Sequence, residues 1–340
     1  MTANSSAFTT ASAWKKLGFA IGHATDTEGA TGCTVIRAIE GRFRCAAHLL
    51  GRASGTRELA TCSPTHLADS IDAVLLTGGS AYGLDAAAGV MRWMEEHGRG
   101  FPIANGVVPI VPAAVIFDLA PLGLFSARPT PDMAYAACAS AGSTNIAEGS
   151  VGAGTGATVG KIAGAVNGMK GGVGCGSAER GGVIAAAIVI TNAFGDVRNA
   201  QGEIIAGARN ANGAWADGER LLRTELADKA LNARMANDAN AGRTNTTIAF
   251  VAVNALLTKI ELAQLATATS AAFYRRITPC GTACDGDVIF AACPVEGAAA
   301  SLPVVEALAV AAMEQAIERS VLLARGRDGI PGLADHHAHR

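Results

Sequence analysis

Two short polar segments open apolar runs in a chain otherwise dominated by small residues. Asn245-Thr246-Thr247 leads into the apolar residues 248–253, and Asp285-Gly286-Asp287 leads into residues 288–293. A threonine hydroxyl can attack a carbonyl carbon, but near neutral pH it is a weak nucleophile and needs a base beside it. Carboxylates close to such a group can orient it or shift the pKa of a neighbouring amine. Each segment also has a plainer reading. β-Branched threonines commonly begin a strand, and Asp-Gly-Asp is ordinary turn chemistry. Spacing alone leaves both readings open.

Other motifs carry less. Residues 154–161 look like a phosphate-binding loop, yet Thr155 breaks the spacing, and Ile162 stands where Ser or Thr should hold magnesium. Gly152, Gly154 and Ala157 fit the loose dinucleotide pattern, but no strong strand precedes them and a poor helix would follow. His23, His48, His66 and His97 lack metal-ligand spacing, and no G-x-S-x-G elbow exists for a histidine-based triad. His336, His337 and His339 crowd the end of the chain, a poor place for a metal site. The eight cysteines are scattered, with only Cys280 and Cys284 close in sequence, and read as buried small hydrophobes in a reducing compartment. The expectation is therefore no metal and no cofactor.

The elements that must hold these residues are short and closely packed. Of 340 residues, 72 are Ala and 41 are Gly, while 16% are charged and 50% are hydrophobic. That composition excludes disorder. A net charge of −2 without a basic block gives no footprint for nucleic acid. No apolar run reaches the length of a membrane span, and the first twenty residues lack the order of a secretory signal, so the cytoplasm is the expected location. Strands are predicted at 17–21, 34–38, 42–48, 73–77, 183–191, 246–253 and 287–293, with a β-rich stretch at 107–117 broken by Pro109 and Pro112. A helix capped by Ser80 is expected to run to about His97 with Gly98 as its stop. A capping box at Thr258 and Glu261 opens a helix to about Arg276, and another spans about 303–324. The glycine-dense residues 149–182 suit regular structure only where backbone must come close to something. Residues 198–243 read as polar and loop-like. Together these point to sheet layers covered by helices.

Several blocks in one order resemble the L-aminopeptidase/D-esterase and β-peptidyl aminopeptidase family, which includes the nylon-oligomer endohydrolases. They are Gly29-Ala30-Thr31-Gly32-Cys33-Thr34-Val35, Leu76-Thr77-Gly78-Gly79-Ser80-Ala81-Tyr82-Gly83-Leu84-Asp85, and Val111-Pro112-Ala113-Ala114-Val115-Ile116-Phe117-Asp118. Residues 152–174 with Lys161 and Met169-Lys170-Gly171-Gly172, residues 187–197 with Asn192, Asn245-Thr246-Thr247-Ile248 and Asp285-Gly286-Asp287 complete the set. The resemblance covers about residues 18–324.

The resemblance implies a single catalytic domain with a four-layer α-β-β-α sandwich, as in N-terminal-nucleophile hydrolases and ornithine acetyltransferases. It implies that the chain breaks its own Asn245–Thr246 bond, giving an α chain of residues 1–245 and a β chain of residues 246–340. Thr246 would then carry both the attacking hydroxyl and, as a free α-amine with a reference pKa of about 7.7–8.0, the base. Asp285 and Asp287 match the acidic pair that orients this threonine in the nylon-hydrolase branch. Asn192 matches the oxyanion donor, and Lys161 a lysine beside the site, although a solvated surface lysine is the plainer reading. Gly78, Gly79, Tyr82 and Phe117 are pocket candidates. Phe117 departs from the family, whose members carry Tyr there. The expected substrates are short peptides, amides or esters, with an endo-amidase or an ornithine-acetyltransferase-like acyltransferase as alternatives and a nucleotide-binding protein as the rival class. A homo-oligomer of αβ units, four of them, is expected, without nucleic acid or membrane partners.

Overall fold

In the computed structural model, which describes residues 10–224 and 245–337, two five-stranded sheets lie face to face. The first runs Phe19–Asp26, Thr31–Ala38, Ala73–Thr77, Ala113–Val115, Thr56–Arg57. The second runs Val173–Arg180, Val183–Asn192, Thr246–Val253, Val288–Pro294, Phe43–Leu49. Each holds one parallel pair, Ala73–Thr77 with Ala113–Val115 and Thr246–Val253 with Val288–Pro294.

Period-two alternation builds the layers. In Thr246–Val253, Ile248, Phe250 and Ala252 point between the sheets, whereas Ala249, Val251 and Val253 face helices. On the first sheet Ile36 and Leu76 face inward, and Val35 and Leu75 face helices. Helices Ala87–Glu96 and Pro131–Ala139 cover the first sheet, and Lys259–Arg276 and Leu302–Leu322 cover the second. The result is the four-layer α-β-β-α sandwich that the family resemblance implied. Phe19 lies edge-on to Phe43 and Phe250 at centroid distances of 5.0 and 5.4 Å, joining the two sheets.

The alanine and glycine excess has a geometric cause. A Cβ on Gly174 or Gly176 would lie 2.0 Å from Ala316 O or 2.1 Å from Ala312 O, so helix Leu302–Leu322 rests on strand backbone. The glycine-dense stretch thus contains a regular strand, Val173–Arg180, and what its backbone approaches is a helix. Elsewhere it forms short 3₁₀ turns and one short antiparallel pair, Thr158–Val159 with Met169–Lys170.

The strand at Ala73–Thr77 and the capping box at Thr258 match expectation. Ser80 does not. It adopts a positive φ of 51°, its side chain caps nothing, and the α-helix begins only at Ala87 after a 3₁₀ segment. The N–H that a Ser80 cap would take, that of Gly83, donates instead to Gly79 O at 3.3 Å, and Asp118 Oδ1 holds the Gly79 N–H at 2.6 Å. Gly98, with φ 65°, follows the helix end as expected. Within the polar region, Ile204–Ala206 and Gly218–Leu222 fold around Asp196, which accepts from Ala208 N and Gly218 N, both at 2.7 Å. Residues 225–243 of that region, the side chains of His336 and His337, and all of His339 lie outside the described residues. No described helix is long and apolar enough to cross a membrane.

Candidate active site

The two polar strand mouths come together. Asn192 ends one central strand and Thr246 begins its antiparallel neighbour, and the two are register partners. Asn245 bridges Asp285 across the parallel pair. Thr246 is 5% exposed and Asn245 1%, so the Asn245–Thr246 peptide bond is buried. Thr246 Oγ1 donates to Asn245 O at 2.6 Å, and Gly286 N donates to the same oxygen at 2.9 Å. A Cβ at position 286 would sit 2.8 Å from Thr246 Oγ1 and 2.6 Å from Ala53 O, so only glycine leaves the hydroxyl its room. The sequence had marked Gly286 as a turn residue only.

Both carboxylates are fixed by neighbouring donors. Asp287 Oδ1 accepts from Thr247 N at 2.6 Å and Oδ2 from Gly281 N at 3.3 Å. Asp285 Oδ2 accepts from Thr282 Oγ1 at 2.7 Å and Thr282 N at 3.0 Å. Burial, then the nearby Asp285, pushes Asp287 up to about 8, and burial also raises Asp285. A cation entering between these groups would be strongly favoured.

Lys161 is buried, 5% exposed, which overturns the solvated-surface reading. Its Nζ donates to Asn192 Oδ1 at 2.8 Å and Asn192 O at 2.9 Å. Burial pulls its pKa down to about 7 against the pull of Asp285 and Asp118. Thr158 N also donates to Asn192 Oδ1, at 3.0 Å, and Asn192 Nδ2 donates to Phe117 O at 3.0 Å. A backbone N–H can only donate, so Thr158 settles which end of the amide is oxygen. Phe117 therefore joins the site through its carbonyl.

The other pocket candidates divide. Gly78 and Gly79 stand at a turn fitted to Asp118, where a Cβ on Gly78 would fall 2.0 Å from Asp118 Oδ2. Tyr82 lies outside the hydrogen-bonded cluster, 58% exposed with the Arg128 guanidinium 3.9 Å from its ring centroid. The phosphate-loop resemblance finds no support in packing. A Cβ on Gly154 would meet Val173 N at 2.5 Å, and Lys161 serves Asn192. Among the described residues no group of three or more His, Cys, Asp or Glu is placed to hold a metal. Sequence reasoning missed Gly286, Thr158, Thr282, Asp118 and Lys170. Thr158, Asp118, Lys170 and Gly286 lay within the resembling blocks without a role of their own, and the scarcity of lysine, 6 against 21 Arg, pointed to Lys170 as well.

Residues 17–334 match the pattern of peptidase family S58. The chain belongs to that family. An S58 assignment makes it a peptide-bond hydrolase, and relatives agree. It is 39% identical to an uncharacterized aminopeptidase of Mycobacterium bovis over 84% of this chain and 84% of the relative. It is 32% identical to a 6-aminohexanoate-oligomer endohydrolase of a Kocuria species, over 81% of this chain and 72% of that one. Among solved structures, the L-aminopeptidase D-Ala-esterase/amidase of Ochrobactrum anthropi, described as a variant of the Ntn hydrolase fold, aligns with TM-score 0.67 at 18% identity, covering 94% of this chain and 90% of that one. A Burkholderia beta-aminopeptidase aligns with TM-score 0.63 at 18% identity, covering 90% and 85%. These likenesses give this S58 member the Ntn hydrolase fold.

Proposed function

We propose that the chain cleaves its own Asn245–Thr246 bond and then acts as an aminopeptidase on short peptides, amides or esters. The observation that carries this reading is the Thr246 hydroxyl held 2.6 Å from the carbonyl oxygen of the bond to be cut, under the Gly286 N–H. In self-cleavage Thr246 Oγ attacks the Asn245 carbonyl carbon, the C–N bond breaks, and the Thr246 nitrogen takes the proton. The ester so formed is opened by water, which leaves a carboxylate on Asn245 and a free amine on Thr246. The Gly286 N–H faces the oxygen on which negative charge develops.

The same hydroxyl then attacks substrate, with its own α-amine as base. Asp285 and Asp287 hold the ammonium form that arises each cycle, and the Asn192 amide, fixed by Lys161 and Thr158, serves the substrate oxyanion. Cleavage does not part the sheet, because Val183–Asn192 of the α chain pairs with Thr246–Val253 of the β chain. The αβ units assemble as a homo-oligomer, four being the expected number, in a compartment that keeps the eight free thiols reduced. Thr246→Ala tests the reading: the variant stays full length and inactive on amino-acid p-nitroanilides that the parent hydrolyses.

A second reading, endo-amidase, is favoured by the 6-aminohexanoate-oligomer endohydrolase relatives at 30–32% identity. Products from a defined oligomer separate the two, since internal cuts give mid-length pieces and an aminopeptidase releases single units.

A further inference from the structure

Two buried charges, Asp118 and Lys170, stand outside the proposed chemistry, and the role assigned to them rests on the proposed function of Asn192. Asp118 is 2% exposed and accepts from Gly79 N at 2.6 Å and Thr31 Oγ1 at 2.7 Å. The residue before it, Phe117, offers the carbonyl that receives Asn192 Nδ2. Lys170 is 1% exposed, and its Nζ donates to Ala157 O at 2.6 Å, Thr155 O at 3.0 Å and Gly154 O at 3.4 Å. The residue after that turn, Thr158, supplies the N–H that Asn192 Oδ1 accepts. The two arrangements meet at Gly156, where a Cβ would lie 2.7 Å from Asp118 Cβ and 2.1 Å from Ala30 O. Two backbone partners of the Asn192 side chain, one accepting and one donating, thus sit beside a segment held by a buried charge.

A buried charge costs more than an apolar residue of the same volume, so packing alone gives no reason to keep this pair. We propose that Asp118 and Lys170 are positioning residues for Asn192, holding Phe117 O and Thr158 N where they set the orientation of its amide. Neither touches the reacting atoms.

The test uses the full chain carrying Asp118→Asn, Lys170→Met and both together. Asp118→Asn leaves Lys170 buried without its opposite, and Lys170→Met leaves Asp118 with the charge of Lys161 alone, so melting temperature and rate both fall. The double variant removes both charges and regains melting temperature relative to the singles. With amino-acid p-nitroanilides, and rates normalised to cleaved molecules on a denaturing gel, its kcat should remain about 10- to 100-fold below the parent with KM within about twofold, as misplacement of a catalytic group predicts. A double variant that recovers parental kcat along with its melting temperature overturns the proposal, and so does a raised KM at unchanged kcat. A double variant that melts like the parent but stays uncleaved also overturns the proposal, because Asn192 is assigned to the substrate oxyanion and not to self-cleavage. One that melts far below the singles shows that the pair serves stability alone. A parent chain that never cleaves instead removes the self-cleavage reading, a separate failure.

Discussion

Asn192 and Thr246 face each other across the central pair of the second sheet, the last residue of one strand opposite the first residue of the next. Two rigid strands therefore fix the distance between a side-chain amide and a buried hydroxyl, which loops would hold less well. Around them the donors are mostly backbone N–H groups, of Gly286, Thr247 and Thr158, whose positions are set by the sheet itself.

Gly286→Ala tests the space around the hydroxyl. The added methyl meets Thr246 Oγ1 at 2.8 Å and Ala53 O at 2.6 Å, so something must shift. Self-cleavage should slow by about 10- to 100-fold, as expected when a reacting atom is displaced. A time course on denaturing gels reads this directly, and a parental rate in the variant contradicts the arrangement.

Asn192→Ala removes the amide proposed for the substrate oxyanion. Loss of one such donor lowers kcat by about 10²–10³ with little change in KM. Steady-state kinetics of the cleaved variant give both numbers, and an unchanged kcat would remove Asn192 from the chemistry.

Legibility in the sequence depends on the kind of contact each residue makes. The strand 246–253 and the capping box at Thr258 were legible because a short apolar run opened by β-branched residues, and a cap, are local signals. Thr246, Asn192 and the two aspartates were legible as a set only through the family resemblance, since each alone matches a common strand start or turn. Ser80 failed as a cap because the turn, anchored through the Gly79 N–H by the sequence-distant Asp118, sends the Gly83 N–H to Gly79 O instead. Gly286 and Lys170 were missed for the same reason. One is defined by an oxygen forty residues earlier in the chain, and the other by carbonyls that only the folded turn gathers.

Asp287 gives a pH signature. Its pKa of about 8 in the fold stands above the ordinary 3.8 because burial and Asp285 oppose its charge. The native chain thus holds a proton that the unfolded chain releases, and this contribution to stability is lost as pH rises from about 4 to about 8. In the uncleaved Thr246→Ala background, Asp287→Asn should flatten the decline in urea midpoint over that range. Parallel declines in the two proteins assign it to another group.

Gly176→Ala tests the close approach of helix to sheet. Its methyl would lie 2.1 Å from Ala312 O, and the helix must move away. The expected cost is about 1–3 kcal/mol, read as a lower urea midpoint. A midpoint equal to the parent's shows that the layers are not packed at backbone contact.

The central claim is that Thr246 becomes a chain terminus. N-terminal sequencing of the smaller fragment of the purified protein measures this directly. The sequence should begin Thr-Thr-Ile-Ala, from Thr246 onward. A single intact 34.2 kDa chain that hydrolyses amides at full rate, or a fragment beginning at any other residue, contradicts it.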